Sequence, residues 1–326
     1  MVRIILAFLL FTKVMLSQEV ESLAIDLSQY SNVRDFCINQ DGDEAFFTIQ
    51  SINQEISQIV QVKKVNGTWK EPELLPFCDE YNYLEPFLSY DQTKLFFVSN
   101  RPTAADAKTA KQNFDIWYVK RKSKTDKWSE PFNLGENVNS DGDEFYPTLA
   151  ENNNLYFTME SPNGLGKDDI YFCEWIGSEY STPKLLDNTI NSEGYEFNAF
   201  ISRDESFLIY TKYNAKGGEG SGDLYIARKN ESNDQWQPAI NMGKIINTRF
   251  MEYCPFYDSK NHILYFTSKR SNLKSGKFNN FKALNQYIST GENGSSKIYQ
   301  IKIGWCCRFR PIYLRYSQCG WFYPDR

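Results

Sequence analysis

The sequence predicts an all-β protein: a β-propeller, most readily of five four-stranded blades, closed by its N-terminal strand. Three observations carry this. Aromatic residues make up 16% of the chain, with 24 Phe and 21 Tyr, which suits pleated strands. One segment recurs about every 55 residues. Each copy reads as short antiparallel strands joined by polar turns, without helical periodicity.

Composition bounds the function. A chain of 326 residues can bury roughly three quarters of its unfolded surface, and 41% apolar content excludes disorder as its main state. The net charge is −5 with no basic run, so nucleic acid is not an expected partner. The single histidine, His262, excludes mechanisms that need two, HExxH zinc sites among them.

The first segment, residues 1–17, reads as a signal peptide: Arg3, then the apolar run Ile4 to Phe11, then Val14 to Ser17 as the cleavage region. The run is too short to span a bilayer. The expected product is exported, periplasmic or extracellular, monomeric and without a transmembrane segment. Residues 18–303 form the propeller, and 304–326 are a tail of different character. From Trp305 onward that tail holds four Arg, seven aromatic residues and one acid, Asp325. Cys37, Cys78, Cys173 and Cys254 are scattered in strand-like runs and read as buried free thiols. Cys306, Cys307 and Cys319 lie in the tail without zinc-ligand spacing.

The repeat aligns Phe36–Thr48, Pro86–Ser99, Pro147–Thr158, Ala199–Thr211 and Pro255–Thr267. With Ala45, Leu95, Leu155, Leu208 and Leu264 as equivalent points, the spacings are 50, 60, 53 and 56. This places blades near 30–75, 76–135, 136–187, 188–242 and 243–303. Within each copy a strand, a turn rich in Asp, Asn and Gly, and an aromatic strand form a hairpin. The third strands are Ile59–Val62, Asp115–Val119, Asp169–Phe172, Asp223–Ile226 and Lys297–Ile301. A fourth element carries Trp and Pro at Trp69–Pro72, Trp128–Pro131 and Trp236–Pro238, replaced by Tyr180–Pro183 in the third copy. The three Trp are expected between blades. The last copy lacks this element, and Glu21–Leu27 is placed to supply it beside Lys297–Ile301, which would close the ring.

Glu144 to Pro147, Leu155 to Thr158, Gly164 to Gly166 before Asp169 to Tyr171, and the Trp-x-x-Pro and Asn-Leu-Gly elements resemble the TolB-like, WD40-like propeller repeat of bacterial envelope proteins. The resemblance covers about residues 30–300. It implies an exported propeller that acts through protein or ligand contacts, commonly without catalysis. Two departures stand out: TolB is described with six blades and an added N-terminal domain. Its colicin and lipoprotein partners are not carried over.

Glu144, Glu196 and Glu252 each precede a strand-opening Pro or Ala by three residues. They could converge at one rim as cation ligands or as glycosidase acid and base, or fasten neighbouring blades. With Tyr81, Tyr83, Phe145, Tyr195 and Tyr253 they define one face, alongside the loop from Pro102 to Asn113, as the candidate ligand-binding site. Its aromatics could instead plug the central channel. Asp115, Asp169 and Asp223 read as hairpin-loop brackets, and Gly217 to Gly222 misses the spacing of a phosphate loop. No GxSxG elbow is present. The expected function is non-catalytic binding of an envelope protein or glycan, with no cofactor and no metal. The alternative is a glycan-acting hydrolase that uses rim carboxylates.

Overall fold

The computed structural model describes residues 19–303, apart from 24, 28 and 105–108. The expected signal peptide and the tail lie outside the described residues. Five antiparallel sheets form the blades. The first comprises Val33–Ile38, Glu44–Gln50 and Ser57–Val65, with Thr68–Trp69 and Glu73–Leu74 outermost. The second comprises Tyr83–Leu88, Lys94–Ser99, Asp115–Lys120 and Phe132–Asn133. The third comprises Glu144–Leu149, Leu155–Met159, Asp169–Cys173 and Lys184–Leu185. The fourth comprises Glu196–Ile201, Phe207–Tyr213, Gly222–Arg228 and Ile240–Asn241. The fifth comprises Glu252–Asp258, Ile263–Ser268 and Lys297–Lys302, completed by Glu21–Ser22 from the other end of the chain. Glu21 faces Gln300 and Ser22 faces Tyr299, the closure the sequence predicts. Leu23 extends it by donating its N–H to Ile298, and Ile25 is buried in the core.

The fourth strands differ from expectation. In blades two, three and four they lie beyond the Pro, at Phe132–Asn133, Lys184–Leu185 and Ile240–Asn241, whereas blade one pairs on both sides of Pro72, at Thr68–Trp69 and Glu73–Leu74. Pro has no N–H to give a ladder, so it interrupts the pairing. The Trp residues are half-buried, each with a cation over the ring: Lys64 over Trp69 at 4.7 Å, Arg121 over Trp128 at 4.2 Å and Lys229 over Trp236 at 5.3 Å. Trp128 reaches the neighbouring blade, edge-on to Phe46 at 6.2 Å. A second difference is a nine-residue helix, Phe281–Ser289, in the long loop between the last two chain-order strands of blade five. Asn280 caps it by accepting from the Ala283 N–H at 2.8 Å.

Each innermost strand carries a β-bulge, between Arg34 and Cys37, Leu84 and Phe87, Phe145 and Thr148, Phe197 and Phe200, and Tyr253 and Phe256. Within each bulge one non-glycine residue is left-handed: Asp35, Glu85, Tyr146, Asn198 and Cys254, with φ between 50° and 61°. Such conformations cost about 1–3 kcal/mol each and persist only where the surroundings enforce them. Here the neighbouring blade helps to do so. The N–H of Asp35 donates to Thr267 Oγ1, that of Glu85 to Thr48 Oγ1 and that of Asn198 to Thr158 Oγ1, each Thr lying on the preceding blade. Blade two has Val98 at the equivalent place, opposite Leu84. The Tyr146 N–H donates instead to Glu85 Oε2 at 2.6 Å.

Blades one and two are also joined by a buried ion pair. The Arg121 guanidinium forks onto both oxygens of Glu44 at 2.8 and 2.6 Å, and Gln61 donates to Oε1 of the same carboxylate. Both charges are sealed from water. Removing one partner strands the other, which costs about 3–5 kcal/mol. We expect Arg121→Met to lose stability on that scale in urea unfolding, and the double variant Arg121→Met, Glu44→Gln to recover much of it. Equal losses in both would show that the charge pair is not the source. For ring closure, deleting residues 18–28 should lower the melting temperature far more than deleting the exposed turn 52–55, because an edge is unpaired and apolar contacts are lost.

Candidate functional site at the mouth of the axial channel

The left-handed bulges bring five side chains from positions about 50 residues apart onto the axis. Arg34 ties them together. Its Nε donates to Asp35 Oδ1 at 2.6 Å, and its Nη2 donates to Glu85 Oε1 at 2.8 Å and lies 3.5 Å from Cys254 Sγ. Asp35 Oδ2 accepts the Glu85 N–H, Asn198 Nδ2 approaches Glu85 at 3.4 Å, and the Cys254 thiol donates to Asn198 Oδ1. The ligating atoms of Asp35, Glu85 and Cys254 lie within 4.8 Å of one another, the sole such group of acid, thiol or imidazole side chains among the described residues. Arg34 already supplies the positive charge there. Burial pushes the Glu85 carboxyl up to about 7 against the pull of Arg34, with Asp35 adding to the rise. Burial also raises the Cys254 thiol, so it is not a ready nucleophile.

On one side of this polar layer the axis is filled. Phe256 packs against Phe87 at 6.2 Å and Phe200 at 5.4 Å, and Phe36 packs against Tyr265 at 4.7 Å. These rings, not the aromatics expected from the sequence, form the plug. On the other side the channel opens into a cavity of about 370 Å³, lined by Arg34, Glu85, Phe114, Phe145, Asp168, Phe197, Asn198, Met251, Tyr253 and Lys269 among others. That volume falls in the range of small-ligand sites.

The eight residues singled out from the sequence separate into two groups. Phe145 and Tyr253 line the mouth. Tyr195 stands exposed at the same end of its blade, edge-on to Tyr213 at 5.8 Å. Tyr81 is half-buried, and its carbonyl accepts from Gln58. Tyr83 is sealed within its blade beside Phe77 and Phe97, its hydroxyl donating to Asp79 at 2.7 Å. The three glutamates are buried, and each bonds the residue four positions before it. Glu144 accepts from the N–H and hydroxyl of Ser140, Glu196 from those of Ser192, and Glu252 from those of Thr248. They brace the connections between blades and are not gathered into a ligand group.

Other expectations follow the local chemistry. Asp169 accepts from the Leu165 and Gly166 N–H groups, and Asp223 from those of Glu219 and Gly220, as hairpin-loop brackets. Asp115 instead takes the Lys111 ammonium and Asn133 Nδ2. Gly220 belongs to such a loop because a Cβ there would sit 2.2 Å from the carbonyls of Thr248 and Phe250. His262 Nδ1 lies 3.0 Å from the Tyr257 hydroxyl. Cys37, Cys173 and Cys254 are buried free thiols and Cys78 is partly buried.

Residues of the mouth that sequence reasoning missed are Arg34, Asp35, Glu85, Asn198, Asp168 and Lys269. A signal for four of them existed. The third column of the inner strand reads Asp35, Glu85, Tyr146, Asn198, Cys254, an irregular and mostly polar set inside an otherwise apolar strand, and Arg34 stands one place earlier.

The fold and this mouth define a class: a five-bladed β-propeller with a ligand-sized cavity at one end of its axis. No family model matches the chain, and no curated protein matches it. Solved structures do. The chain is similar to the BT0996 protein of an RGII complex, at 8% identity over 87% of this chain and 90% of that one, with a TM-score of 0.54. It is similar to the α-L-arabinofuranosidase PaAbf62A of Podospora anserina in complex with cellotriose, at 10% identity over 87% and 94%, TM-score 0.51. A TolB candidate from Agrobacterium tumefaciens matches at 10% identity over 74% and 72%, TM-score 0.46. At these identities the likeness is one of fold. No helix among the described residues is long and apolar enough to cross a membrane.

The three glutamates differ in one consequential way. Opposite Glu196 stands Lys212, and opposite Glu252 stands Ser268, which donates to it. Opposite Glu144 stands Met159, and Glu144 Oε2 is left without a partner. Burial pushes the Glu144 carboxyl up to about 7, against the bonds from Ser140. The folded state then keeps a proton that the unfolded chain releases near pH 4.3, so this contribution to stability falls as pH rises from about 4.5 to about 7. We expect Glu144→Gln to flatten that slope in chemical unfolding and to be neutral or stabilising at pH 8. Glu252→Gln should destabilise by about 1–3 kcal/mol, since it removes an acceptor from buried donors. A Glu144→Gln loss as large as that of Glu252→Gln at pH 8 would refute the assignment.

Proposed function

We propose that this protein is an exported, TolB-like propeller that binds a glycan, or a protein carrying one, in the bacterial cell envelope, and that it takes this partner at the channel mouth. One observation carries the reading. Half-buried and buried aromatic rings, Phe114, Phe145, Phe197 and Tyr253, surround a floor whose carboxylates already hold an internal counter-ion. Ring faces beside fixed polar groups suit a sugar, which offers C–H faces and hydroxyls together. One of the similar structures is a complex with cellotriose, which favours a saccharide over a bare polypeptide.

Hydrolysis is the second reading, and one observation favours it: Glu85, raised to about 7, stands beside Asp35 beneath the cavity. A glycosidase needs one carboxyl free to protonate the leaving oxygen and another free to attack or to activate water. Both oxygens of Asp35 and of Glu85 are engaged by Arg34 and by backbone N–H groups. Binding is therefore the better supported activity.

The test is a glycan screen with the mature protein, followed by Phe197→Ala and Phe145→Ala. We expect each variant to weaken binding at least tenfold, about 1.4 kcal/mol, with little change in melting temperature. Undiminished binding by both would remove the mouth as the site. Release of reducing sugar by the parent, abolished in Glu85→Gln, would establish the hydrolase instead.

A further inference from the structure

Two cationic groups line the mouth. Arg34 uses Nε and Nη2 for Asp35 and Glu85, while its Nη1 makes no hydrogen bond among the described residues. Lys269 lines the same cavity, half-buried, and pairs with no carboxylate among the described residues. Burial and the nearby Arg34 guanidinium lower the pKa of its ammonium, with Cys254 opposing. The lining also includes Asp168, whose carboxyl burial lifts to about 6, with Glu160, Asp143 and Asp169 adding to the rise. The cavity thus combines the Lys269 ammonium, the Arg34 guanidinium, a carboxyl and the rings of Phe145, Phe197 and Tyr253.

We infer that the ligand is an acidic sugar, a uronate-type residue whose carboxylate is held by Lys269 and Arg34 while its ring lies against Phe145, Phe197 and Tyr253. This rests on the mouth being the glycan site. A desolvated ammonium and a free guanidinium N–H gain a charge-assisted pair from a carboxylate, and such pairs are stronger than neutral hydrogen bonds. A neutral sugar would leave the half-buried Lys269 ammonium without a carboxylate partner. Asp168 is placed to take ring hydroxyls.

The experiment is calorimetric titration of the mature protein with a galacturonate trisaccharide and with the same trisaccharide after reduction of its carboxylates to primary alcohols. The acidic form should bind at least tenfold tighter, and raising ionic strength should erode that preference. Lys269→Met should bring the ratio of the two affinities down to about one, and Lys269→Arg should retain the preference. Phe197→Ala should weaken both. Equal affinity for the two sugars, insensitive to salt and to Lys269→Met but still lost in Phe197→Ala, would overturn the carboxylate inference and keep the mouth as the site. Binding of neither sugar, with or without binding of a peptide carrying a free C-terminus, would overturn both.

Discussion

The bulge in each innermost strand is the constraint on which the rest depends. A regular strand would keep alternating its side chains between the two faces of its own blade. The extra residue interrupts that alternation and forces one position left-handed. It thereby aims one side chain per blade at the axis and points its N–H at the blade before it. Threonines receive that N–H at three junctions. Where blade two carries Val98, the carboxylate of Glu85 takes over. Blade docking and the floor of the cavity are thus one set of bonds, and the cost of strained backbone is met by contacts from the neighbouring blade, one of which, Asp35 to Thr267, needs the ring closed.

Charge explains how the floor is held together. Burying two carboxylates without a counter-ion is prohibitive. Arg34 spans Asp35 and Glu85. The floor is thus committed internally, while Lys269, which also lines the cavity, pairs with no carboxylate among the described residues. Glu144, Glu196 and Glu252 answer a different need. Each caps the connection that leads into its own strand by bonding a Ser or Thr four residues back, so the same bond recurs in three blades.

Much of this was legible in the linear sequence. The equivalence of Ala45, Leu95, Leu155, Leu208 and Leu264 marks the blades, and the absence of a Trp-Pro element after Ile301 points to Glu21 as the closing strand. The reading faltered where a residue's role depended on backbone shape. Pro131, Pro183 and Pro238 displaced the outer strands beyond themselves, and Pro72 split that of blade one in two. Tyr83, aligned with the glutamates, reads as a surface aromatic until its blade encloses it. Arg34 looks like a solvent-facing residue of a first strand until closure brings Cys254 and Tyr253 beside it, with the Arg34 guanidinium 5.1 Å from the Tyr253 ring.

By itself the sequence determined the strands, their turns, the blade repeat and the closing segment, because two-residue alternation, Asn and Gly in turns, and Pro as a breaker act over a few neighbouring residues. Only the tertiary structure decided which side chains meet on the axis and which donors remain unpaired there. Asp35, Glu85, Tyr146, Asn198 and Cys254 are about 50 residues apart and share no chemical type. Nothing local links them. They become neighbours because five bulges, each bent the same way, are brought round a single axis when the chain ends pair.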